Sequence, residues 1–295
     1  MAGGEIGEKL GREVEWRLFG TGPAIVNEFE RGGLDLAYIG LPPAIIGIDR
    51  GVGIVCIAGG HVEGTVIAAK GKYAGGPDAA ELGPILRQFA GLRIGVPGTG
   101  SIHDVILRTC LESYGLGGDI EVVNFAWSDR VLEAVIKDEV AAAFGTPALA
   151  VAVIRYAGGK ILYPPSKLWP YNPSYGIMAA RDFLVREREI AEKFLLLHEE
   201  ATSFLRERPG EAAVLISGFV GFVDEAFVLD TLRVSPRYCA QITGEFMSST
   251  MEFVKTLKRL GYIARDVTGD EIFDLSLIKK IHPEKDHYGE GIASA

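Results

Sequence analysis

Four short turns in this chain combine glycine with small residues and proline in a pattern suited to holding a ligand by its backbone. They are Gly20-Thr21-Gly22-Pro23, Gly40-Leu41-Pro42-Pro43, Pro97-Gly98-Thr99-Gly100-Ser101 and Gly145-Thr146-Pro147. Each falls between a strand-like apolar run and a helix-like run. Free N–H groups and the positive end of a helix dipole are therefore expected at the carboxyl end of a strand. That is where open α/β sheets take ligands, and the chemistry it suits is capture of an anionic or strongly polar small molecule. Any one turn reads equally well as a plain helix cap. Four at regular spacing, two in each half of the α/β part, point to one shared site.

Within the turns, individual roles differ. Gly20, Thr21 and Gly22 form the first. In the second, the backbone of Gly40 and Leu41 is expected to meet the ligand, while Pro42 offers no N–H and makes that side partly apolar. In the third, Thr99 and Ser101 carry hydroxyls that cap the next helix, between Gly98 and Gly100, and the amides of Ser101 and Ile102 are expected to face the site. His103, in the first turn of that helix, is a candidate ligand hydrogen bonder with its pKa lowered by the dipole. Thr146 stands at the matching place in the fourth turn.

Outside the turns, His61 and Glu63 lie in Gly59-Gly60-His61-Val62-Glu63-Gly64. They are expected on a loop between strands, where an imidazole and a carboxylate form an acid/base pair or simply face solvent. Trp127, Trp169, Tyr171 and Tyr175 are candidates for an aromatic wall, and equally for ordinary packing.

Other chemistries find no pattern here. No Gly-x-x-x-x-Gly-Lys occurs, the 95–100 run lacks dinucleotide spacing, and His198-Glu199-Glu200 has no second histidine to make a zincin. The three cysteines show no metal or redox spacing, so buried free thiols are expected, with no metal and no cofactor. A net charge of −9 argues against a nucleic-acid partner. No charge-free apolar run reaches the ~18 residues of a membrane span. Residues 1–5 show neither the basic region nor the apolar core of a leader.

The elements that must position these residues alternate. Strands are expected over 14–19, 34–39, 52–58, 65–69, 92–96, 121–125, 140–144 and 160–163. Helices are expected over 23–31, 43–50, 81–89, 102–114, 131–137 (capped by Asp129) and 147–156. This rhythm predicts parallel strand pairing with right-handed crossovers. Residues 163–173 hold four prolines and three aromatics and read as a stiff connection. Beyond it the pattern is helical, over 186–208, 211–219, 225–232, 248–260 and 270–279. The expected fold is α/β with two lobes. Residues 1–70 and 171–295 form lobe one, residues 71–170 form lobe two, chain crossings lie over 69–72 and 163–174, and the helical tail covers lobe one. A ligand cleft between the lobes, closed by a hinge, follows from that plan.

With these residues in view, the chain resembles the nitrate/sulfonate/taurine-type substrate-binding proteins of ABC transporters, which have a type II periplasmic-binding fold. The resemblance rests on Phe19-Gly20-Thr21-Gly22-Pro23-Ala24, on the run from Gly33 to Pro43, on Leu92-Arg93-Ile94-Gly95-Val96-Pro97-Gly98-Thr99, and on Leu260-Gly261-Tyr262-Ile263 with Phe273-Asp274. It covers nearly the whole chain. It implies a monomeric, non-enzymatic protein that captures a small polar or anionic organic solute and passes it to a membrane permease. The family begins with a strand and a ligand loop ahead of the first helix, and this chain starts inside that helix, at 2–10. The resemblance therefore implies a longer reading frame upstream of Met1, and with it a leader. The protein is then extracytoplasmic, whereas the sequence as it stands reads as cytoplasmic. An enzyme on the same fold is the alternative, like menaquinone-pathway lyases or thiamine-precursor synthases, with His61, Glu63 or His103 as acid/base. The cysteine-rich signature of the thiamine-precursor enzymes is not found here. A ligand-sensing regulatory module is a third reading.

Overall fold

Two sheets form because β-branched and small apolar runs are repeatedly cut by glycine- and proline-led helix starts. The computed structural model describes residues 5–293. The chain begins with α1 (Glu5–Leu10) and α2 (Gly22–Glu30), then β1 (Leu36–Ile39), α3 (Leu41–Asp49), β2 (Ile54–Val62) and β3 (Val66–Lys70). Of the expected helix over 2–10, Ala2 to Gly4 lie outside the described residues. There follow α4 (Leu82–Arg87), β4 (Arg93–Pro97), α5 (Ile102–Ser113), β5 (Glu121–Phe125), α6 (Ser128–Ile136), β6 (Ala142–Gly145), α7 (Pro147–Ala157) and β7 (Gly159–Ile161). After α8 (Pro165–Leu168) and β8 (Pro173–Ala180) the rest is helical: α9 (Arg181–Arg186), α10 (Arg188–Glu207), α11 (Pro209–Val220), α12 (Glu225–Val234), α13 (Gly244–Arg259), α14 (Gly269–Ile272) and α15 (Ile278–Ile281).

The strands make a three-stranded sheet, order β1-β8-β2, and a five-stranded sheet, order β5-β4-β6-β3-β7. Parallel pairing is found where β4 meets β5 and β6. Elsewhere the expectation of parallel pairing is corrected. β8 runs antiparallel between β1 and β2, and β3 runs antiparallel to β6 and β7. The chain crosses between sheets where it returns, and a returning strand enters in the opposite direction. The first crossing also lies earlier than the expected 69–72. β3 already belongs to the five-stranded sheet, so the change of sheet occupies Glu63 to Thr65.

Two further expectations differ from the structure. Residues 14–19 form no strand. Trp16 and Leu18 are exposed, and Arg17 instead reaches Glu28 Oε1 at 2.6 Å and the Gly33 carbonyl at 3.1 Å. An alternating run with no neighbouring strand has no ladder to join. Conversely, no strand is expected over 173–180, and the structure forms β8 there. Its apolar run from Gly176 to Ala180, with small residues at 176, 179 and 180, lies between β1 and β2, and a Cβ at Gly176 would stand 2.9 Å from the Ala58 carbonyl.

β2 is buried along its whole length although it is hydrogen-bonded to only one strand. Its free edge is covered by the tail. The amides of Gly59 and Val62 donate to the carbonyls of Ala240 and Arg237, Cys239 N donates to Gly60 O, and Asp274 N donates to Cys56 O. Such cover removes an edge that would otherwise template aggregation. The tail does not lie wholly on the first sheet. α13 packs on α3 and α14 on β2, but the α11–α12 hairpin reaches across to α7, where Arg155 pairs with Asp224 at 2.7 Å and with Asp230 at 3.2 Å.

Candidate functional site

The turns meet one another. Gly20 lies against the ring of Trp127, so closely that a Cβ there would be 2.7 Å from it. A Cβ on Gly98 would stand 2.8 Å from the Thr21 methyl, and one on Gly40 3.3 Å from Ile102. Gly22 abuts Pro43. The starts of α2, α3, α5 and α6 are thereby gathered at one seam between the three-stranded and five-stranded sheets. Thr146 begins α7, and its neighbour Gly145 faces Pro97 of the third turn. Two cavities open elsewhere, one beside Arg181, Met247 and Phe273 and one beside Gln241, Thr243 and His282. At the seam the turns are in van der Waals contact, and Trp127 there is 45% exposed.

The third turn is the most elaborate. Gly98 and Gly100 both have positive φ (72° and 75°), which a Cβ would strain, and Gly98 N donates to Phe125 O. Ser101 caps α5 through Oγ, which accepts from Asp104 N at 3.2 Å. Ser101 N is used within the turn, donating to Gly98 O, so that donor is not free as expected. Val105 N bonds to Ser101 O, leaving Ile102 and His103 as the amides of the first turn that a helix does not itself satisfy. Thr99 is exposed.

Asp104 was not singled out from the sequence, and it decides the electrostatics here. Its carboxylate is fully buried. Oδ1 accepts from Arg108 Nε at 2.9 Å and Asn124 Nδ2 at 3.0 Å, and Oδ2 accepts from Gly100 N at 2.9 Å and Tyr262 OH at 2.5 Å. A negative charge thus already sits at the helix start and takes one amide from the turn. The signal was present, because Ser101-Ile102-His103-Asp104 is the Ser-x-x-acid pattern of a helix start. Tyr262, which follows α13, has its pKa pushed up to about 12, by burial first and then by its bond to Asp104.

His103 is buried, with Nδ1 3.0 Å from Thr65 Oγ1, and burial lowers its pKa to about 4. It is a neutral link between α5 and the crossing segment. His61 and Glu63 are corrected as to setting. Neither lies on a solvated loop. His61 is within β2, 4% exposed, stacked on Tyr238 at 4.4 Å. Its Nε2 donates to the Ser235 carbonyl at 2.7 Å, and burial takes its pKa down to about 4. Glu63 adopts φ 61°, accepts from Tyr171 N at 2.9 Å and stands 3.0 Å from Arg237 Nε. Burial raises its pKa even so. The two side chains turn to different partners and form no acid/base pair.

The remaining candidates divide the same way. Leu41 and Pro42 are buried, Leu41 in the core against Gly176, so that turn exposes little beyond Gly40. Tyr175 packs edge-on against Tyr38 at 5.6 Å and fills the space beside Gly60. Trp169 stacks on Phe253 at 4.0 Å, and Tyr171 lies under Arg237. Thr146 caps α7 by accepting from Leu149 N at 3.2 Å. The three cysteines are free and buried, as their spacing predicts.

A family model described as the NMT1-like family matches residues 1–218. Proteins of Brucella abortus and Brucella suis, provisionally named binding proteins, are each 26% identical over 221 residues. The match takes in 74% of this chain and 65% of each relative, so the chain spans less than two thirds of their length. Among solved structures, the alkanesulfonate-binding protein of Xanthomonas axonopodis pv. citri bound to MOPS superposes with a TM-score of 0.76 at 16% identity, covering 91% of this chain and 90% of that one. The periplasmic aliphatic sulphonate binding protein of Escherichia coli gives 0.73 at 16% identity, over 92% and 90%. The periplasmic nitrate-binding protein of Synechocystis PCC 6803 gives 0.70 at 15% identity, over 90% and 78%. At such identities the likeness is one of fold, and the fold is that of periplasmic binding proteins.

Proposed function

This chain belongs to the NMT1-like family, and on that premise we propose that it is a non-enzymatic solute-binding protein serving an ABC importer. It captures a small polar or anionic organic molecule outside the cytoplasm and delivers it to a membrane permease. The observation that carries the reading is the seam, where helix starts from both sheets abut through Gly20, Thr21, Gly40, Gly98 and Trp127. In this reading the lobes follow the two sheets, with the chain up to Val62 and from Pro173 onward making one lobe and Val66 to Ile161 the core of the other, and the seam is the closed form of the cleft.

Energetics shape the choice of solute. Four helix ends at about 0.3–1 kcal/mol each fall short of the ~8 kcal/mol of micromolar binding. Directed hydrogen bonds and closure over an apolar body supply the remainder. Asp104 disfavours a compact, fully charged oxyanion at the third turn, and Arg108 is already committed to that carboxylate. An organic molecule with one acidic end, its body against Trp127 and Gly40, fits this better. An acid/base enzyme is the weaker reading, because His61, Glu63 and His103 each face a different internal partner.

Thermal unfolding in the presence of a panel of small sulfonates and carboxylates tests this. At a hundredfold excess over Kd a true solute adds about 2.7 kcal/mol of stability. Thr99→Asp, at an exposed position of the third turn, should abolish the rise. Stabilisation that is unchanged in this variant, or turnover of the solute, would reverse the assignment.

A further inference from the structure

Apart from the residues of the seam, Glu199 on α10, His282 just after α15 and His287 in the tail bring one potential ligand atom each to within 4.8 Å of one another. Cys239 Sγ lies 3.4 Å from His282 Nε2, and Glu199 Oε1 lies 3.8 Å from the same nitrogen. Among the described residues, Glu199 Oε2 and His282 Nδ1 are buried side-chain polar atoms without a hydrogen-bond partner. His282 is 1% exposed. Buried polar atoms left unpaired are costly and call for a partner.

We propose that Glu199, His282 and His287 bind a zinc ion that clamps the C-terminal segment onto α10. Two imidazoles and a carboxylate are a recurrent zinc donor set. In tetrahedral sites with bonds of 2.0–2.3 Å, neighbouring ligand atoms stand about 3.3–3.7 Å apart. The 3.8 Å between Glu199 Oε1 and His282 Nε2 is close to that size, and the three ligand atoms, within 4.8 Å of one another, would draw closer around the ion. Cys239 stands beside the remaining coordination position.

The surroundings fit the role. Glu290 Oε2 lies 2.9 Å from His287 Nδ1, where a carboxylate orients an imidazole that ligates through its other nitrogen. A nearby cation, Arg206, donates to the Tyr238 carbonyl and reaches only to 3.9 Å of Glu199. A cavity of about 390 Å³, lined in part by His282, gives a path from solvent. The clamp would also fix Tyr288, whose hydroxyl bonds the carbonyls of Cys239 and Gln241 behind β2.

The test uses the full chain, stripped with chelator and then supplied with equimolar Zn²⁺. Native mass spectrometry should show one zinc per chain, and tryptic cleavage after the exposed Lys285 should slow at least several-fold. His287→Ala and Glu199→Gln, each checked for a native circular dichroism spectrum, should both lose the zinc and the protection. Less than one zinc per chain, zinc retained in both variants, or unaltered cleavage would overturn the proposal. Solute binding at the seam plays no part in these readouts.

Discussion

At the scale of single residues, three histidines act as neutral members of the core. His61, His103 and His198 each have a pKa lowered to about 4, first by burial. The unfolded chain binds protons at these positions near pH 6.5 and the folded chain does not. Stability is therefore complete at pH above ~7 and is lost as pH falls from there towards 4. Each histidine accounts for about 3 kcal/mol at most across that window. Urea unfolding measured from pH 8 to pH 4 should show the decline, and His198→Gln should flatten it. A pH-independent midpoint would contradict the assignment. Asp104 gives a second residue-scale prediction. Tyr262→Phe removes one of four donors and should cost about 1.5 kcal/mol. Asp104→Asn weakens the part-buried bonds from Arg108 and Tyr262 together and should cost about 2–3 kcal/mol. Denaturant titration of the two variants checks the order. In the sequence, Ser101 was legible as a cap because its partner lies three positions on. The partners of His61 and Asp104, Ser235 and Tyr262, lie 174 and 158 positions away, and no local pattern announces them.

At the scale of elements, helix starts were the most legible feature, since proline and glycine fix them locally. α5 and α7 begin at Ile102 and Pro147, where the turns place them. The cap of α6 is Trp127 rather than Asp129, which sits in its first turn. Strands were less legible, because pairing depends on a neighbour. The 14–19 run has the alternation and no partner, whereas β8 has two partners and little alternation. β2 makes a sharp prediction. A Cβ at Gly59 would lie 2.3 Å from the Tyr288 hydroxyl and 2.5 Å from the Gln241 carbonyl. The backbone contact cannot move aside cheaply, so Gly59→Ala should destabilise by about 1–3 kcal/mol. Loss of the Tyr288 bonds would accompany it, visible as faster amide exchange over 237–241.

At the scale of the whole molecule, the two-sheet architecture was legible and the fit between its parts was not. Sequence periodicity says nothing of how near Gly20 comes to Trp127, or that α12 crosses to α7. The Arg155 pairs with Asp224 and Asp230 and the Tyr262–Asp104 bond span the two bodies at different points. If they hold a closed form, Arg155→Ala together with Tyr262→Phe should increase the radius of gyration in solution scattering, and a bound solute should bring it back. An unchanged scattering curve would mean that the sheets do not part.

The placement of β8 also sets an order of events during synthesis. Strands from Val66 to Ile161 complete the five-stranded sheet from one continuous stretch, so it can assemble while the remainder is still on the ribosome. The three-stranded sheet has no such freedom. Its outer strands emerge first and have nothing between them until Pro173 to Ala180 arrive, more than a hundred residues later. For that interval β1 and β2 lack the strand that joins them in the folded protein, and their edges stay open to any other strand.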